Sequence, residues 1–241
     1  MQSISRSAAI AAELRDEILR GQYRCGERLP SERDLAERFG VHRGAVREAL
    51  KRLEQLGVAK IHPGGARVAP IEEASLDVVE HLINLEDPPD PKIVDQVFEV
   101  MSGLFSTAAR LCAERATEQQ RVDIHKLLAR AKQKLSNRDH IELMHQLVDL
   151  FVEASDNLVL TLVRRGVKTG FIEELDRRHP HLLPPISPNQ ALFDKLAEAI
   201  DAKDGAAASD AVIELTLELR IHAIAAMTNE RERLSLERMS S

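Results

Sequence analysis

Three arginines in the first fifty residues have the chemistry and spacing needed to contact DNA. Arg43 and Arg47 are one helical turn apart in the run 41–53, at the start of a helical pattern. Guanidinium groups donate hydrogen bonds, and base edges in the major groove offer acceptors to them. Arg33 stands in the first turn of the preceding helical pattern, where helix amides and a cation both favour phosphate. The sequence therefore predicts base contacts by Arg43 and Arg47 and a phosphate contact by Arg33.

Two neighbours of these arginines fit the same interpretation. His42 begins the helix and is placed to touch a phosphate or a base. Gly44 lies inside the helix, where glycine costs about 1 kcal/mol relative to alanine, so its position requires a reason. Close approach of the backbone to DNA is one such reason. The alternative is an ordinary solvated face, with Glu48 as an internal partner of the basic residues.

The helix that carries the arginines has two distinct sides. The packing side is apolar and comprises Val46, Ala49, Leu50, Leu53 and Leu56. The opposite side is basic or small and comprises Gly44, Ala45, Arg47, Lys51 and Arg52. Burial of the first side leaves the second for a partner.

The elements around this helix predict a winged helix-turn-helix over residues 1–70. A first helix covers 7–20, and Ser31 is a plausible N-cap of the second, with Asp34 at the capping-box distance. Residues 60–68 indicate two short strands joined through Pro63, Gly64 and Gly65. This wing turn is expected to touch DNA as a secondary contact, although turn geometry alone explains its glycines. His62 and Arg67 are its possible polar contacts, unless Arg67 pairs with an acidic neighbour.

The remainder of the chain predicts helices and no strand. Residues 71–91 form a linker with a short helix that stops at a proline-rich break. Apolar residues then recur at three and four over 92–228, which indicates an antiparallel bundle of six or seven helices. The predicted helices cover 92–115, 118–135, 138–154, 157–177, 188–203 and 206–228. Residues 229–241 are polar and are expected to fray. The fold class is therefore mainly α.

Charge separates the two halves. Residues 1–70 contain 13 Lys and Arg against 9 Asp and Glu, a net charge of +4, whereas residues 71–241 contain 20 against 30, a net charge of −10. The basic part is the candidate DNA footprint, and phosphate repels the acidic part. Aromatic residues are only 3% of the chain, which argues against stacking on single strands. No apolar run of about 18 residues and no signal peptide is present, so a cytoplasmic protein with no membrane partner is expected.

The residues 29–36 and 40–58 resemble the N-terminal signature of the GntR family of bacterial transcription regulators nearly throughout. The resemblance implies DNA contact by Arg33, Arg43 and Arg47, with residues 42, 44 and 45 near the bases and residues 63–65 in the wing. The family often has hydroxyl residues after the first of the helix arginines. Gly44 and Ala45 cannot donate such bonds, so the operator should differ from those of hydroxyl-bearing relatives.

The helical remainder resembles the ligand-sensing domain of the FadR subfamily, by helix count and by the residues 153–157, which are similar to its Ala-Ser-Gly-Asn turn. Many members bind a metal through an Asp and three His. The aligned positions here are Met144 and Val148, and the later His positions fall near Phe193 and Leu215, so the usual metal site is missing and no cofactor is expected. His145 and Asp149 stand four apart and could share an ion, but a solvated pair on the polar side is favoured.

Apolar residues in place of metal ligands change the effector that a pocket could hold. Met144, Val148 and Phe151 suit an apolar tail, and His140 is the polar group to test first. The segment 192–196 looks like part of the fatty-acyl-responsive branch of the subfamily, which lacks the metal too. An acyl or lipid-like effector is expected, against the alternatives of a metal-dependent sensor of small carboxylates and of a packed bundle without a pocket.

The sequence thus predicts a homodimeric regulator that binds a near-palindromic operator in double-stranded DNA under the control of a small molecule. An enzyme is not expected, because no nucleophile, phosphate-binding loop or catalytic pair of carboxylates is present. An unregulated nucleoid-type protein is the alternative from another class. The arginines suited to base edges and the large acidic second domain argue against it.

Overall fold

The structure of the protein is a computed structural model that describes residues 5–133, 135–166 and 189–239. The chain divides into two compact units, Met1–Asp87 and Pro88–Ser241. The first unit contains, in chain order, α1 (Arg6–Leu19), α2 (Glu32–Phe39), α3 (Arg43–Gln55), β1 (Ala59–His62), β2 (Gly65–Val68) and α4 (Val78–Ile83). The predicted winged helix-turn-helix is confirmed in element order and type.

The first three helices of the winged unit enclose one apolar core. Ser31 caps α2 by accepting from the Asp34 amide, and the Asp34 side chain accepts from the Ser31 amide, so the predicted capping box is present. Gly40, with a φ of 61°, ends α2 and turns the chain into α3. The buried apolar residues include Leu14, Leu35, Val46, Ala49, Leu50, Leu53 and Val58. The apolar side predicted for α3 therefore faces this core.

The wing is an antiparallel hairpin with a two-residue turn at 63–64. Ala59 pairs with Val68 at its base, and His62 pairs with Gly65 at its tip. A third extended segment lies beside β2, because the Leu29 amide donates to the Ala66 carbonyl at 2.9 Å.

Helix α4 belongs to the winged unit. Val78 is buried in the core of this unit, and Leu82 packs against it. The Arg15 guanidinium lies 3.2 Å from Nε2 of His81, which adds a polar contact between α1 and α4. Residues 71–91 were predicted to form a linker separate from the winged helix-turn-helix. The structure differs for the short helix within them, because its apolar side is buried against the first unit.

The second unit consists, within its described part, of six helices. They are α5 (Pro91–Arg115), α6 (Glu118–Ala131), α7 (Asn137–Ala154), α8 (Leu158–Gly166), α9 (Gln190–Ala202) and α10 (Gly205–Met239). Helix α10 packs chiefly along α5, while α7 packs against α5 and α6. The rest of the predicted helix 157–177 and the predicted break at 179–188 lie outside the described residues. No described helix combines the length and apolarity that crossing a membrane requires.

The turn between α7 and α8 is formed by Ser155, Asp156 and Asn157. Ser155 is fully buried, and its hydroxyl donates to the Val152 carbonyl at 2.7 Å. Asp156 has a φ of 46°, a conformation that glycine adopts most easily, and it occupies the glycine position of the Ala-Ser-Gly-Asn turn. The Asn157 side chain then accepts from the Leu160 amide and caps α8.

The polar end of the chain, 229–241, where fraying was expected, is helical as far as the structure describes it, because α10 continues to Met239. Charged side chains support this last part of the helix. Arg233 donates to Glu230 at 2.8 Å and to Glu237 at 2.5 Å, three and four residues away. Arg231 donates to the Pro88 carbonyl at 3.2 Å. This part of α10 was not predicted to be helical, because it lacks the apolar period from which amphipathic helices are predicted.

Candidate nucleic-acid interface and effector region

His42 builds the N-terminal end of α3. Its Nδ1 accepts from the Ala45 amide at 3.1 Å, so the ring caps the helix. A Cβ at Gly44 would lie 3.1 Å from that same nitrogen. Glycine therefore makes room for the capping ring, which is a reason for Gly44 within the chain itself, separate from the predicted approach to DNA.

Ala45 is the one predicted contact whose side chain is not on the surface. It is only 9% exposed and stands one turn before the fully buried Ala49. Residues four apart share a side of a helix, so Ala45 extends the packing side of α3. Its assignment to the opposite side was wrong, and its methyl group is not available for a base contact.

Arg43 and Arg33 are exposed cations. Within the described part of the chain, Arg43 makes no hydrogen bond or salt bridge, and its position in the first turn of α3 leaves its guanidinium in solvent. The Arg33 side chain is 76% exposed and has only a loose contact with Asp34, at 3.5 Å. Both side chains can therefore reach an anionic partner without breaking a strong interaction.

Arg47 is held, by contrast, by an acidic residue of the neighbouring helix. Its Nε lies 3.2 Å from Oε1 of Glu32, and its Nη2 lies 2.9 Å from Oε2. The hydrogen bond from Arg47 keeps the pKa of Glu32 below its ordinary value. Glu48, expected as an internal partner of the basic residues, accepts from Lys51 of that side at 2.9 Å. Sequence reasoning missed Glu32, although its place at the first position of α2 was known.

The wing turn exposes Pro63 and Gly64, while Gly65 is half-buried with a φ of 115°. A Cβ at Gly65 would meet Nε of Arg28 at 3.1 Å, so an exposed guanidinium lies directly beside the wing turn. Arg28 is a cation that sequence reasoning missed, because the pairing that brings it to the wing joins distant segments.

Two hydrogen bonds fix the wing. Arg67 stays exposed and donates to the Gly26 carbonyl at 2.9 Å, and no acidic partner of it occurs among the described residues. Glu54 of α3 accepts from the Ile61 amide at 2.9 Å. The wing is thereby attached to the helix that carries the arginines.

The predicted effector residues lie together on α7. His140 is 6% exposed, Phe151 and Val148 belong to the core of the second unit, and Met144 packs against that core. Burial lowers the pKa of His140, whose ring centroid lies 6.4 Å from that of Phe193. Val148 and Phe151 are thus packed side chains of the core. A small apolar cavity of about 10 Å³ lies nearby, lined by Met101, Leu104, Phe105, Val152, Leu160, Val163 and Arg164.

The four positions aligned with metal ligands belong to the same core or its edge. Val148 and Phe193 are buried in this core, and Met144 and Leu215 are partly buried against it. None of the four offers a nitrogen or charged oxygen donor, so this set does not fit a metal ion. Asp149 accepts from Arg164 at 2.7 Å, and the described residues contain no group of three or more His, Cys, Asp or Glu suited to a metal.

Comparison with known proteins finds two family matches. The model described as "Bacterial regulatory proteins, gntR family" matches residues 6–68, and that of the FCD domain matches residues 96–218. Together they cover the winged unit and most of the helical unit. Both are parts of transcription regulators and not of enzymes.

Individual relatives agree with this pattern. The chain is 34% identical over 120 residues to the regulator Mce2R of Mycobacterium tuberculosis, a match that spans about half the length of either protein. It is 30% identical over 171 residues to the fatty acid metabolism regulator protein of Cronobacter sakazakii, which is 68% of each chain. It is 26% identical over 226 residues to the galactonate operon transcriptional repressor of Escherichia coli, covering 88% of this chain and 94% of that protein.

Proposed function

We propose, from the premise that the chain belongs to the GntR family of DNA-binding transcription regulators and carries an FCD domain in the FadR-type arrangement, that it acts as a homodimer. Each protomer places α3 in the major groove of one half-site, so the operator is near-palindromic. A small molecule bound by the helical domain shifts the equilibrium between DNA-binding states, by binding one of them more tightly.

The observation that carries the DNA-binding role is the pair of exposed cations in the first turns of α2 and α3. Arg43 is unpaired within the described residues, and Arg33 is 76% exposed at the N-terminus of α2. Helix amides and these cations both favour phosphate or base acceptors. Pro63 and Gly64 in the wing, with Arg28 beside them, provide a second contact.

Selection of bound sequences from random double-stranded DNA tests this role. We expect a sequence with two similar half-sites about one helical turn apart, and a complex with the mass of two chains in native mass spectrometry. Uniform protection of unrelated DNA in footprinting would instead support the nucleoid-type alternative.

We further propose an acyl or lipid-like effector bound near His140 and Met144 at the start of α7. Two observations support it: the four metal-ligand positions are apolar, and the imidazole of His140, 6% exposed beside Phe193, is a polar group within this apolar region. The relative described as a fatty acid metabolism regulator points the same way. The galactonate repressor favours the alternative, a small carboxylate held with a metal.

The two effector classes separate in a thermal-shift experiment on the full chain. We expect stabilisation by long-chain acyl thioesters and none by galactonate with or without Zn²⁺ or Ni²⁺. Met144→Gln should reduce the acyl-induced shift, whereas Met101→Gln is the matched control in the neighbouring cavity. Loss of the shift only in Met101→Gln would move the site to that cavity. A shift with galactonate and metal alone would overturn the acyl proposal.

A further inference from the structure

Glu32 and Arg47 form a two-point ion pair between the first turn of α2 and the exposed side of α3. We propose that Glu32 is a positioning residue, which holds Arg47 in the orientation needed to read a base pair. Glu32 itself does not read DNA in this proposal, yet sequence preference depends on it. The inference rests on the proposed DNA-binding function, because it assumes that Arg47 faces the major groove.

The atoms used by the pair leave the other edge of the guanidinium available. Arginine has five N–H groups in a fixed planar fork. Glu32 accepts from Nε at 3.2 Å and from Nη2 at 2.9 Å, which are on one edge. Nη1 and the second hydrogen of Nη2 lie on the other edge. Two donors at that spacing match N7 and O6 of guanine, the commonest specific contact in the major groove. Arg47 can therefore bind Glu32 and a guanine at once.

Exposure argues for a role in orientation over one in stability. The Arg47 and Glu32 side chains are 60% and 37% exposed, and pairs so open to water contribute little to folding. A free arginine side chain, however, loses rotamer freedom when it is fixed against a base. An orientation set before binding lowers that entropic cost. The pKa of Glu32 is below its ordinary value because of the hydrogen bond from Arg47, so the carboxylate stays ionised at neutral pH.

The same helix provides the contrasts that a test needs. Arg43 forms no such hydrogen-bonded pair within the described part of the chain, although its charge also acts on Glu32. Glu48 of α3 is an exposed acid near Arg47, but its salt bridge is with Lys51. Glu48→Ala therefore removes an equal charge near Arg47 and leaves both hydrogen bonds from Arg47 to Glu32 in place.

The experiment uses the full chain and the sequence selected from random DNA by the wild-type protein. The base pair read by Arg47 is identified by comparing operators with single substitutions. At that base pair, Arg47→Ala should lose about tenfold or more of the wild-type preference for the selected base. We expect Glu32→Ala to lower preference at that base pair by roughly two- to tenfold, and Glu32→Gln to retain part of it. Glu48→Ala should leave it unchanged. In the Arg47→Ala background, Glu32→Ala should have no further effect.

The possible failures are distinguishable. A wild-type protein without sequence preference would overturn the proposed function itself. If the wild type discriminates but no base pair responds to Arg47→Ala, or if Glu32→Ala leaves the preference intact with only a lower unfolding temperature, the positioning role is refuted. A rise in affinity and preference in Glu32→Ala would also refute it, since Glu32 would then mask Arg47.

Discussion

The two units of the chain present opposite chemistry at their candidate binding regions. In the winged unit, Arg33 and Arg43 extend from helix ends into solvent. Their residue type and their position in the helix are enough to predict an anionic partner. In the helical unit, His140 lies among buried apolar side chains, next to Phe193. A surface site for a charged polymer can therefore be predicted from residue types. A buried site cannot, because it depends on how helices distant in sequence pack together.

The largest effect is expected from variants that test whether the two cores unfold independently. Phe193→Ala should destabilise the helical unit by about 3–5 kcal/mol, because it removes a large side chain that is almost fully buried. Hydrogen exchange measured by mass spectrometry should show faster exchange in α7, α9 and α10 and unchanged exchange in α1 to α3. Leu14→Ala, at a fully buried position of the other core, should produce the reverse pattern.

An exposed position provides the control for these core variants. Leu162 on α8 is 57% exposed, so Leu162→Ala should change stability by no more than about 0.5 kcal/mol. Equal loss of protection in both units after Phe193→Ala would contradict the division into two compact units.

The next effect in size concerns the exposed arginine. Arg43→Ala should reduce discrimination between the selected operator and a one-base variant by about 1–3 kcal/mol, because a base contact is lost. Arg52→Ala is the matched control, since it removes the same charge from the last turn of α3, away from the N-terminal end. It should weaken binding to all sequences alike. Competition binding at fixed salt measures both, and equal discrimination in the wild type and Arg43→Ala would remove Arg43 from the base-reading set.

What the sequence could predict in the winged unit depended on local rules. The capping box of Ser31 and Asp34 spans three residues, and the apolar side of α3 follows from helical period. The pair between Glu32 and Arg47 joins residues fifteen apart on two helices, so only their packing reveals it. Ala45 was misplaced for a related reason, because the neighbours that bury it are not encoded in the periodicity of its own helix.

In the helical unit, helix type was predictable and boundaries less so. The apolar recurrence of three and four marks α5 to α7 to within a few residues, whereas the final part of α10 has none and is supported by Arg233 and its acidic neighbours. The residues predicted to line an effector pocket lie on one helix, α7, as expected. How deeply each is buried could not be predicted, because whether Val148 lines a cavity or fills the core depends on α9 and α10.

The smallest expected effect uses a pair of histidines, one in each unit. Burial lowers the pKa of His140 and, together with nearby Arg15, that of His81, both from an ordinary value of 6.5. The unfolded chain then binds protons more readily than the folded one, so stability is fully present above pH 6.5 and falls as the pH drops through the folded-state pKa. His140→Gln should remove this loss from the helical unit alone, and His81→Gln from the winged unit alone. Hydrogen exchange measured for each unit between pH 7 and pH 5, corrected for intrinsic rates, tests both variants. If His140→Gln has the same pH dependence as the wild type, the ring of His140 is already hydrated in the folded wild-type protein, contrary to its burial beside Phe193.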